Sequence, residues 1–234
     1  MPQKTEPLEH EKYYHIYNRG INRETLFREP DNYRHFLRLY DEYIDLIAET
    51  FAWCLMPNHF HLLVRIKEEE EIDFLPVKGS NADRSGRPCQ VEKGQRNGNT
   101  NDLSGSARPD RVSTGKKPTP IRQFSHLFNA YTKAFNKSYN RHGALFERPF
   151  RRIHITNEKY FRNMVCYIHN NPVKHAFVED MSEYPWTSYL SIISVKPTKI
   201  QREEVLGWFD SENDFKLFHK KQHEENEIEM FIID

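Results

Sequence analysis

The segment that decides the fold is residues 50–66, TFAWCLMPNHFHLLVRI. It contains two runs rich in aromatic and β-branched residues, 50–56 and 59–66, and such residues favour β-strands. Between the runs stands Pro57-Asn58, a dipeptide typical of a turn. The segment therefore predicts a β-hairpin, which is a pair of antiparallel strands.

A strand and a helix are predicted before the hairpin. Residues 13–19, YYHIYNR, alternate well enough for a strand, which Gly20 ends. A helix follows with Asp31 as its N-cap after Pro30, because apolar side chains then recur every three or four residues. Those side chains are Tyr33, Phe36, Leu37, Tyr40, Ile44 and Ile47.

Two helices and a strand are predicted after the hairpin. The first helix begins near Ile121 and has one apolar face. Residues 152–155 form a short strand, and a helix capped at residues 156–157 follows it. We expect this last helix to end by Asn171. The reason is that Pro172 lacks an amide hydrogen and disfavours the helical conformation in the residue before it.

The order strand, helix, strand, strand, helix, strand, helix predicts an α+β fold with helices packed on a sheet. Residues 73–120 interrupt it with six of the nine glycines, one aromatic residue and no apolar periodicity. Such a segment cannot offset its ordering entropy by burying apolar surface, so we predict a disordered insertion loop. Residues 1–72 and 121–200 would then form one domain, followed by an acidic C-terminal tail, 201–234.

Charge is segregated along this chain of 234 residues, although its 34 Lys and Arg balance its 34 Asp and Glu. Residues 201–234 hold 4 basic and 10 acidic side chains, a balance of −6, which leaves the first 200 residues at +6. Residues 121–176 hold 10 basic and 2 acidic side chains, a balance of +8. A basic segment of this density predicts a phosphate-rich partner such as nucleic acid, although a solvated helix face gives similar counts.

Composition and motifs exclude several classes of protein. No apolar run approaches the roughly 18 residues of a membrane span, and residues 1–12 are charged, so we expect a cytoplasmic protein with no membrane contact. Three scattered cysteines predict neither a disulfide framework nor a cysteine zinc site. The patterns GxxxxGK[ST], GxGxxG and HExxH do not occur, which argues against nucleotide hydrolysis and zincin chemistry.

The first candidate site is His59-Phe60-His61 at the start of the second hairpin strand. Residues i and i+2 of a strand point to the same face, so the two imidazoles would lie side by side. That arrangement suits one divalent ion, although two histidines can also simply line a polar face of a sheet. Two imidazoles are too few for a tight metal site, so a third ligand would have to come from elsewhere.

The second candidate site lies on the last helix, where Tyr167 and Asn171 are one turn apart on one face. A tyrosine beside a metal-bound phosphate can act as a nucleophile, and an amide oxygen is a suitable ligand for a hard cation. The alternative is a packing role for Tyr167, because the chain has 12 tyrosines and most helical tyrosines pack in a core.

Three segments resemble the REP-associated tyrosine transposases. Residues 52–64, AWCLMPNHFHLLV, resemble the HUH segment (histidine, hydrophobic residue, histidine) of that family. Residues 167–176, YIHNNPVKHA, are similar to the segment that carries its single nucleophilic tyrosine, and residues 14–20, YHIYNRG, fit its first strand. The resemblance covers about residues 13–191 apart from the insertion.

The resemblance implies an HUH endonuclease with an RRM-like, ferredoxin-like antiparallel sheet that acts on single-stranded DNA carrying hairpins. His59 and His61 would bind magnesium or manganese, with Asn171 as the third ligand. Tyr167 would attack the DNA and leave a 5′-phosphotyrosine and a free 3′-hydroxyl. Related insertion-sequence transposases have glutamine four residues after the tyrosine, where this chain has Asn171. The resemblance leaves both a monomer and a homodimer open, as well as the DNA sequence recognised.

Residues 146–152 interleave aromatic and basic side chains, as single-strand binding surfaces do. We expect DNA contacts from this stretch together with two cations elsewhere. The predicted DNA-binding residues are Arg19, Arg148, Arg151, Arg152 and Lys174. Phe146 and Phe150 can either stack on bases or belong to the core.

Two other functions compete with the tyrosine transesterase. One is a non-catalytic regulator that binds hairpin DNA and retains the fold. The other is a metal-dependent nuclease in which His59 and His61 activate water, so that cleavage leaves no protein on the DNA.

Overall fold

The computed structural model describes residues 6–73 and 117–225 and contains a four-stranded antiparallel sheet. Its strands run in the order β2-β3-β1-β4. Their bounds are β1 Tyr13–Arg19, β2 Ala48–Met56, β3 His59–Ile66 and β4 Arg151–Ile155. The predicted hairpin is β2–β3, and it joins the sheet through pairing of β3 with β1.

The helices follow the predicted order and complete a βαββαβ arrangement, so the α+β fold class is confirmed. Their bounds are α1 Pro30–Tyr43, α2 Pro120–Ser138, α3 Glu158–Lys174, α4 Tyr189–Ile193, α5 Arg202–Gly207 and α6 Glu212–Glu225. Most of the predicted insertion, residues 74–116, lies outside the described residues. Within the described ranges, no helix is long and apolar enough to span a bilayer.

The prediction that α3 ends by Asn171 is wrong, because the helix continues through Pro172 to Lys174. Proline removes one backbone hydrogen bond from the helix, but the bonds that follow are retained. The amide of His175 donates to the carbonyl of Asn171 at 3.1 Å, and the amide of Phe177 donates to the carbonyl of Pro172 at 2.9 Å. The added turn keeps Lys174 on the same helix as Tyr167.

Side-chain alternation divides the core between the two faces of the sheet. On one face, Ile16, Phe60 and Leu62 pack in a cluster with α1 and α2. On the other face, Leu63 and Cys54 pack in a cluster with α3. Because residues i and i+2 share a face, His59 and His61 lie on the face of Leu63, toward α3.

The aromatic side chains of residues 146–152 belong to the core. Phe146 and Phe150 are 4% and 8% exposed and pack in the cluster formed with α1 and α2. The interpretation of these two rings as stacking groups for DNA is therefore wrong. Their neighbours are other buried rings, since Phe128 lies 5.2 Å from Phe146 and 5.4 Å from Phe150, centre to centre.

Residues 201–225, the first part of the predicted acidic tail, form α5 and α6 and contribute to the core. Val205, Phe209 and Phe215 are almost fully buried in the cluster formed with α3. The chain before them covers the outer edge of β2, where the amide of Ser188 donates to the carbonyl of Trp53 at 2.9 Å. A covered edge protects the sheet from pairing with another chain.

A buried polar chain joins α6, α3 and the edge of β2. Nδ1 of His219 donates to the carbonyl of Phe215 at 2.7 Å, and its Nε2 lies 2.9 Å from Nδ1 of His169. Nε2 of His169 lies 2.8 Å from the hydroxyl of Ser188, which also accepts from the amide of Trp53. Burial lowers the pKa of His219 to about 4 and lowers the pKa of His169 well below its usual value, so both rings are neutral at pH 7.

We predict that His219→Leu lowers the free energy of unfolding at pH 7.5 by about 1–3 kcal/mol, because His169 loses its partner. In the wild type, the unfolded chain takes up protons below about pH 6.5 that the folded chain does not, so stability falls from there toward about pH 4. The variant removes one such group and lessens that fall by up to about 1.4 kcal/mol per pH unit. Urea unfolding at several pH values measures both effects.

The matched control is His126→Leu at an exposed histidine of α2, which should change neither quantity by more than about 0.5 kcal/mol. If the free energy of unfolding of His219→Leu fell with decreasing pH as steeply as that of the wild type, the assignment of His219 as a buried neutral group would be contradicted.

Candidate active site

The turn of the hairpin is fixed to the end of β1 by backbone hydrogen bonds. The amide of Gly20 donates to the carbonyl of Asn58 at 2.9 Å, and the amides of residues 26 and 27 donate to the carbonyl of Pro57 at 2.7 and 2.9 Å. Gly20 has no room for a side chain, because a Cβ there would lie 2.0 Å from the carbonyl oxygen of Glu24. These contacts fix the start of β3, and with it the first histidine of the pair.

A cleft of about 520 Å³ opens beside this turn, at the C-terminal end of α3. It gathers six of the nine predicted site residues, which are His59, His61, Tyr167, Arg19, Arg151 and Lys174. Asn171 adjoins the cleft through its contact with His59. Arg148 and Arg152 do not line the cleft.

His59 and Asn171 face each other across the gap between β3 and α3. Nε2 of His59 lies 3.1 Å from Oδ1 of Asn171, and its Nδ1 lies 2.7 Å from Oδ1 of Asn58. A neutral imidazole carries one proton, and with that proton on Nδ1, bonded to Asn58, Nε2 has a lone pair. Nε2 and the Asn171 oxygen are then two acceptors 3.1 Å apart, close enough to be ligands of one cation.

The donor set fits a divalent metal ion. The rings of His59 and His61 lie 5.1 Å apart, centre to centre, and Asn171 adds an amide oxygen. Within residues 6–73 and 117–225, no three His, Cys, Asp or Glu side chains form a metal-binding group. Nδ2 of Asn171 is buried with no partner, an unfavourable arrangement that functional sites often contain.

His61 is held from behind by His15 of β1. Nδ1 of His61 lies 2.9 Å from Nε2 of His15, which leaves Nε2 of His61 to face the cleft. Burial lowers the pKa of His15 to about 3. Burial, with the nearby His15, His59, His175 and Lys174, holds the pKa of His61 well below its usual range. Both rings are therefore neutral at pH 7, the form in which imidazole binds a metal.

Tyr167, on α3, lies beside His61 of β3 and His15 of β1. Its side chain is 6% exposed, and its ring centre lies 5.3 Å from that of His61 and 6.0 Å from that of His15, both edge to face. The ammonium of Lys174 lies 5.9 Å from the centre of the Tyr167 ring. A tyrosine, a cation and the imidazole of His61 thus lie together in the cleft.

The predicted DNA-binding cations divide into two groups. Arg19 lines the cleft and donates to Glu147 through Nε at 2.7 Å, whereas Arg151 lines it from β4. Arg152 follows Arg151 and so points to the opposite face of the sheet, where its guanidinium lies 4.9 Å from the Phe150 ring. Arg148 is exposed and lies 3.4 Å from the amide oxygen of Asn129 on α2.

Sequence reasoning missed His15 and His175 as members of the site. Tyr17 of β1 pairs with His61, and His15 lies two residues before Tyr17 on the same face of the strand. The position of His15 beside His61 therefore depends on the β1–β3 register. His175 comes directly after Lys174, the last residue of α3, and we had expected that helix to end by Asn171. The His175 ring lies 5.2 Å from that of His59, centre to centre. The alternation of β1 provided a signal for His15, but only together with the register.

No family model matches the chain, but it is similar to two known proteins. The protein of Haemophilus influenzae named "Putative REP-associated tyrosine transposase" is 25% identical to it over 141 residues. That match covers 60% of this chain and 58% of the relative, so the chain spans less than two-thirds of that protein. A solved structure of a REP-associated tyrosine transposase bound to a REP hairpin aligns with a TM-score of 0.50, 16% identity and coverage of 84% of this chain and 89% of that one.

The chain is thus similar in sequence to one protein of this name and in fold to a solved structure of another. The resemblance inferred from the three sequence segments is thereby confirmed. The solved transposase supports the fold of this chain.

We predict that the pKa values of His15 and His61 in the folded protein both lie below that of an unfolded histidine, because burial opposes protonation of the two rings. Long-range ¹H–¹⁵N NMR spectra distinguish neutral from protonated imidazole and measure this directly. Histidines of the urea-unfolded chain, which protonate near pH 6.5, provide the reference. Protonation of either ring between about pH 6 and 7 in the folded protein would refute the uncharged pair.

Proposed function

We propose that this protein is a metal-dependent transesterase for single-stranded DNA that nicks and rejoins hairpin-containing DNA through a 5′-phosphotyrosine. The observation that carries the proposal is the position of Tyr167, whose ring lies 5.3 Å from that of His61 in a basic cleft. The transposase name of the relative and the hairpin in the matched structure support the same substrate class.

In this proposal His59, His61 and Asn171 hold magnesium or manganese. When bound, the ion withdraws charge from the phosphoryl oxygens and makes the phosphorus easier to attack. Nε2 of His15 accepts a hydrogen bond from Nδ1 of His61, 2.9 Å away, which keeps the proton of His61 on Nδ1. Nε2 of His61 is then available as a ligand. Asn58 does the same for His59, by accepting from its Nδ1.

Tyr167 supplies the nucleophile. Its phenol oxygen loses a proton and bonds to phosphorus, while the bond from phosphorus to the 3′ oxygen breaks and that oxygen takes up a proton. One phosphoester bond replaces another, so the phosphotyrosine retains the energy needed for rejoining, and no nucleotide is required. The ammonium of Lys174, 5.9 Å from the Tyr167 ring centre, offsets the negative charge of the phenolate.

The cleft cations bind the DNA backbone around the cleaved bond. Arg19, Arg151 and Lys174 line the cleft with the nucleophile, whereas Arg148 and Arg152 lie outside it, so any DNA contact that these two make lies beyond the cleft. Glu147 holds the Arg19 guanidinium through a 2.7 Å contact, so this cation is ordered before DNA arrives. Preorganised donors lose less side-chain entropy on binding.

We predict that Tyr167→Phe abolishes covalent capture of DNA, with a loss of at least about 1,000-fold, because the phenol oxygen is the attacking atom. The assay mixes protein, manganese and 3′-labelled single-stranded hairpin DNA and follows label that migrates with protein on a denaturing gel. Tyr160→Phe is the matched control, since Tyr160 lies on the same helix outside the cleft and should retain capture.

The competing functions predict different gels. A metal-dependent nuclease would cleave the DNA without retaining label on the protein, and Tyr167→Phe would still cleave. A non-catalytic binding protein would shift the DNA in a native gel and would neither cleave nor capture it at any manganese concentration. Either result would overturn the transesterase.

A further prediction concerns binding alone. Arg151→Ala should weaken binding of single-stranded DNA and lower the slope of log affinity against log salt by about 0.7, because one phosphate contact is lost. Fluorescence anisotropy with EDTA present measures affinity without cleavage. Arg34→Ala, at an exposed arginine of α1, is the control of equal charge change. Affinity equal to that of wild type at every salt concentration would remove Arg151 from the contact surface.

A further inference from the structure

Phe177 is an aromatic side chain held open to solvent at the mouth of the cleft. It is 52% exposed and lines the cleft together with Tyr167 and Lys174. The other large hydrophobic side chains exposed in residues 6–73 and 117–225 are aliphatic and do not line it. Among the phenylalanine, tyrosine and tryptophan rings of the described residues, the one that is exposed therefore lies beside the proposed nucleophile.

The backbone holds Phe177 in this position. Ala176 has a φ of 55°, a left-handed backbone conformation that residues other than glycine rarely adopt. Both backbone amides at this point are hydrogen-bonded. The amide of Ala176 donates to the carbonyl of Val173, and the amide of Phe177 donates to the carbonyl of Pro172. The end of α3 is thus closed by hydrogen bonds in a strained conformation, and the ring emerges directly after it.

The surroundings of Phe177 have the chemistry of single-strand binding surfaces. Lys174 and His175 come just before it and line the same cleft, as does Arg23 from the loop after β1. A planar apolar ring beside the cations Lys174 and Arg23 can stack on a base while the cations bind the neighbouring phosphates. Double-stranded DNA offers no such base, because its bases are stacked on each other.

We propose that Phe177 is a stacking platform for one unpaired base of single-stranded DNA, next to the phosphate that Tyr167 attacks. This inference rests on the proposed function and adds how the nucleotide at the cleavage point is held. A ring contacts any base through its face, so the platform positions the strand and tolerates every base.

The test is an abasic scan of a single-stranded DNA bound with EDTA present, so that nothing is cleaved. Each nucleotide near the cleavage point is replaced in turn by an abasic one, and affinities for wild type and Phe177→Ala are measured by anisotropy. At one position the abasic DNA should bind wild type about 10-fold more weakly. At that position Phe177→Ala should bind intact and abasic DNA equally, whereas Leu217→Ala, at an exposed leucine of α6, should behave as wild type.

A second variant reports the contact itself. Phe177→Trp should bind DNA as wild type does, and its added fluorescence should be quenched by intact DNA and not by DNA abasic at that one position. Leu217→Trp should show no added quenching with either DNA. Thermal unfolding of Phe177→Ala, expected to match wild type because the ring is exposed, shows that the fold is retained.

The outcomes separate this inference from the proposed function. Equal affinity of wild type and Phe177→Ala for every DNA, with capture through Tyr167 intact, would overturn the platform alone. Absence of both single-strand binding and capture in wild type would overturn the proposed function and the platform with it.

Discussion

The two-residue period of β3 is the constraint on which the site depends. Because successive side chains of a strand point to opposite faces, Phe60 enters the core with α1 and α2 while His59 and His61 turn toward α3. A slip of one residue against β1 would exchange these faces, burying two imidazoles among phenylalanines. The hairpin turn prevents that slip, since Gly20 bonds to Asn58 and no side chain fits at Gly20.

Buried histidines carry much of the polar structure, and they serve two different purposes. His169 and His219 tie α3 to α6 in a chain that ends on the carbonyl of Phe215. His15 and His61 form a similar pair on the same side of the sheet, but His61 opens on the cleft and Nδ1 of His15 has no partner. A buried nitrogen without a hydrogen-bond partner lowers the stability of the fold, and functional sites often contain such groups.

The hairpin, the helix that carries Tyr167 and the shared face of His59 and His61 could be predicted from the sequence, because each follows from local periodicity. The position of His15 could not, since it depends on which residues of β1 and β3 pair. Pro172 misled us because one lost hydrogen bond does not end a helix that neighbouring bonds sustain. The aromatic residues Phe146 and Phe150 were ambiguous, because burial depends on tertiary contacts with α2 that periodicity does not reveal.

The proposed reaction requires that the side chain of Tyr167 become covalently bound to DNA. The most direct measurement is mass spectrometry of proteolytic fragments from protein incubated with manganese and a hairpin-containing single-stranded DNA, after nuclease trimming of the captured strand. If Tyr167 is the nucleophile, the peptide containing it gains the mass of a nucleotide joined through its 5′-phosphate. A nucleotide on another residue, or cleaved DNA whose 5′-phosphate is free while every peptide keeps its mass, would contradict that role.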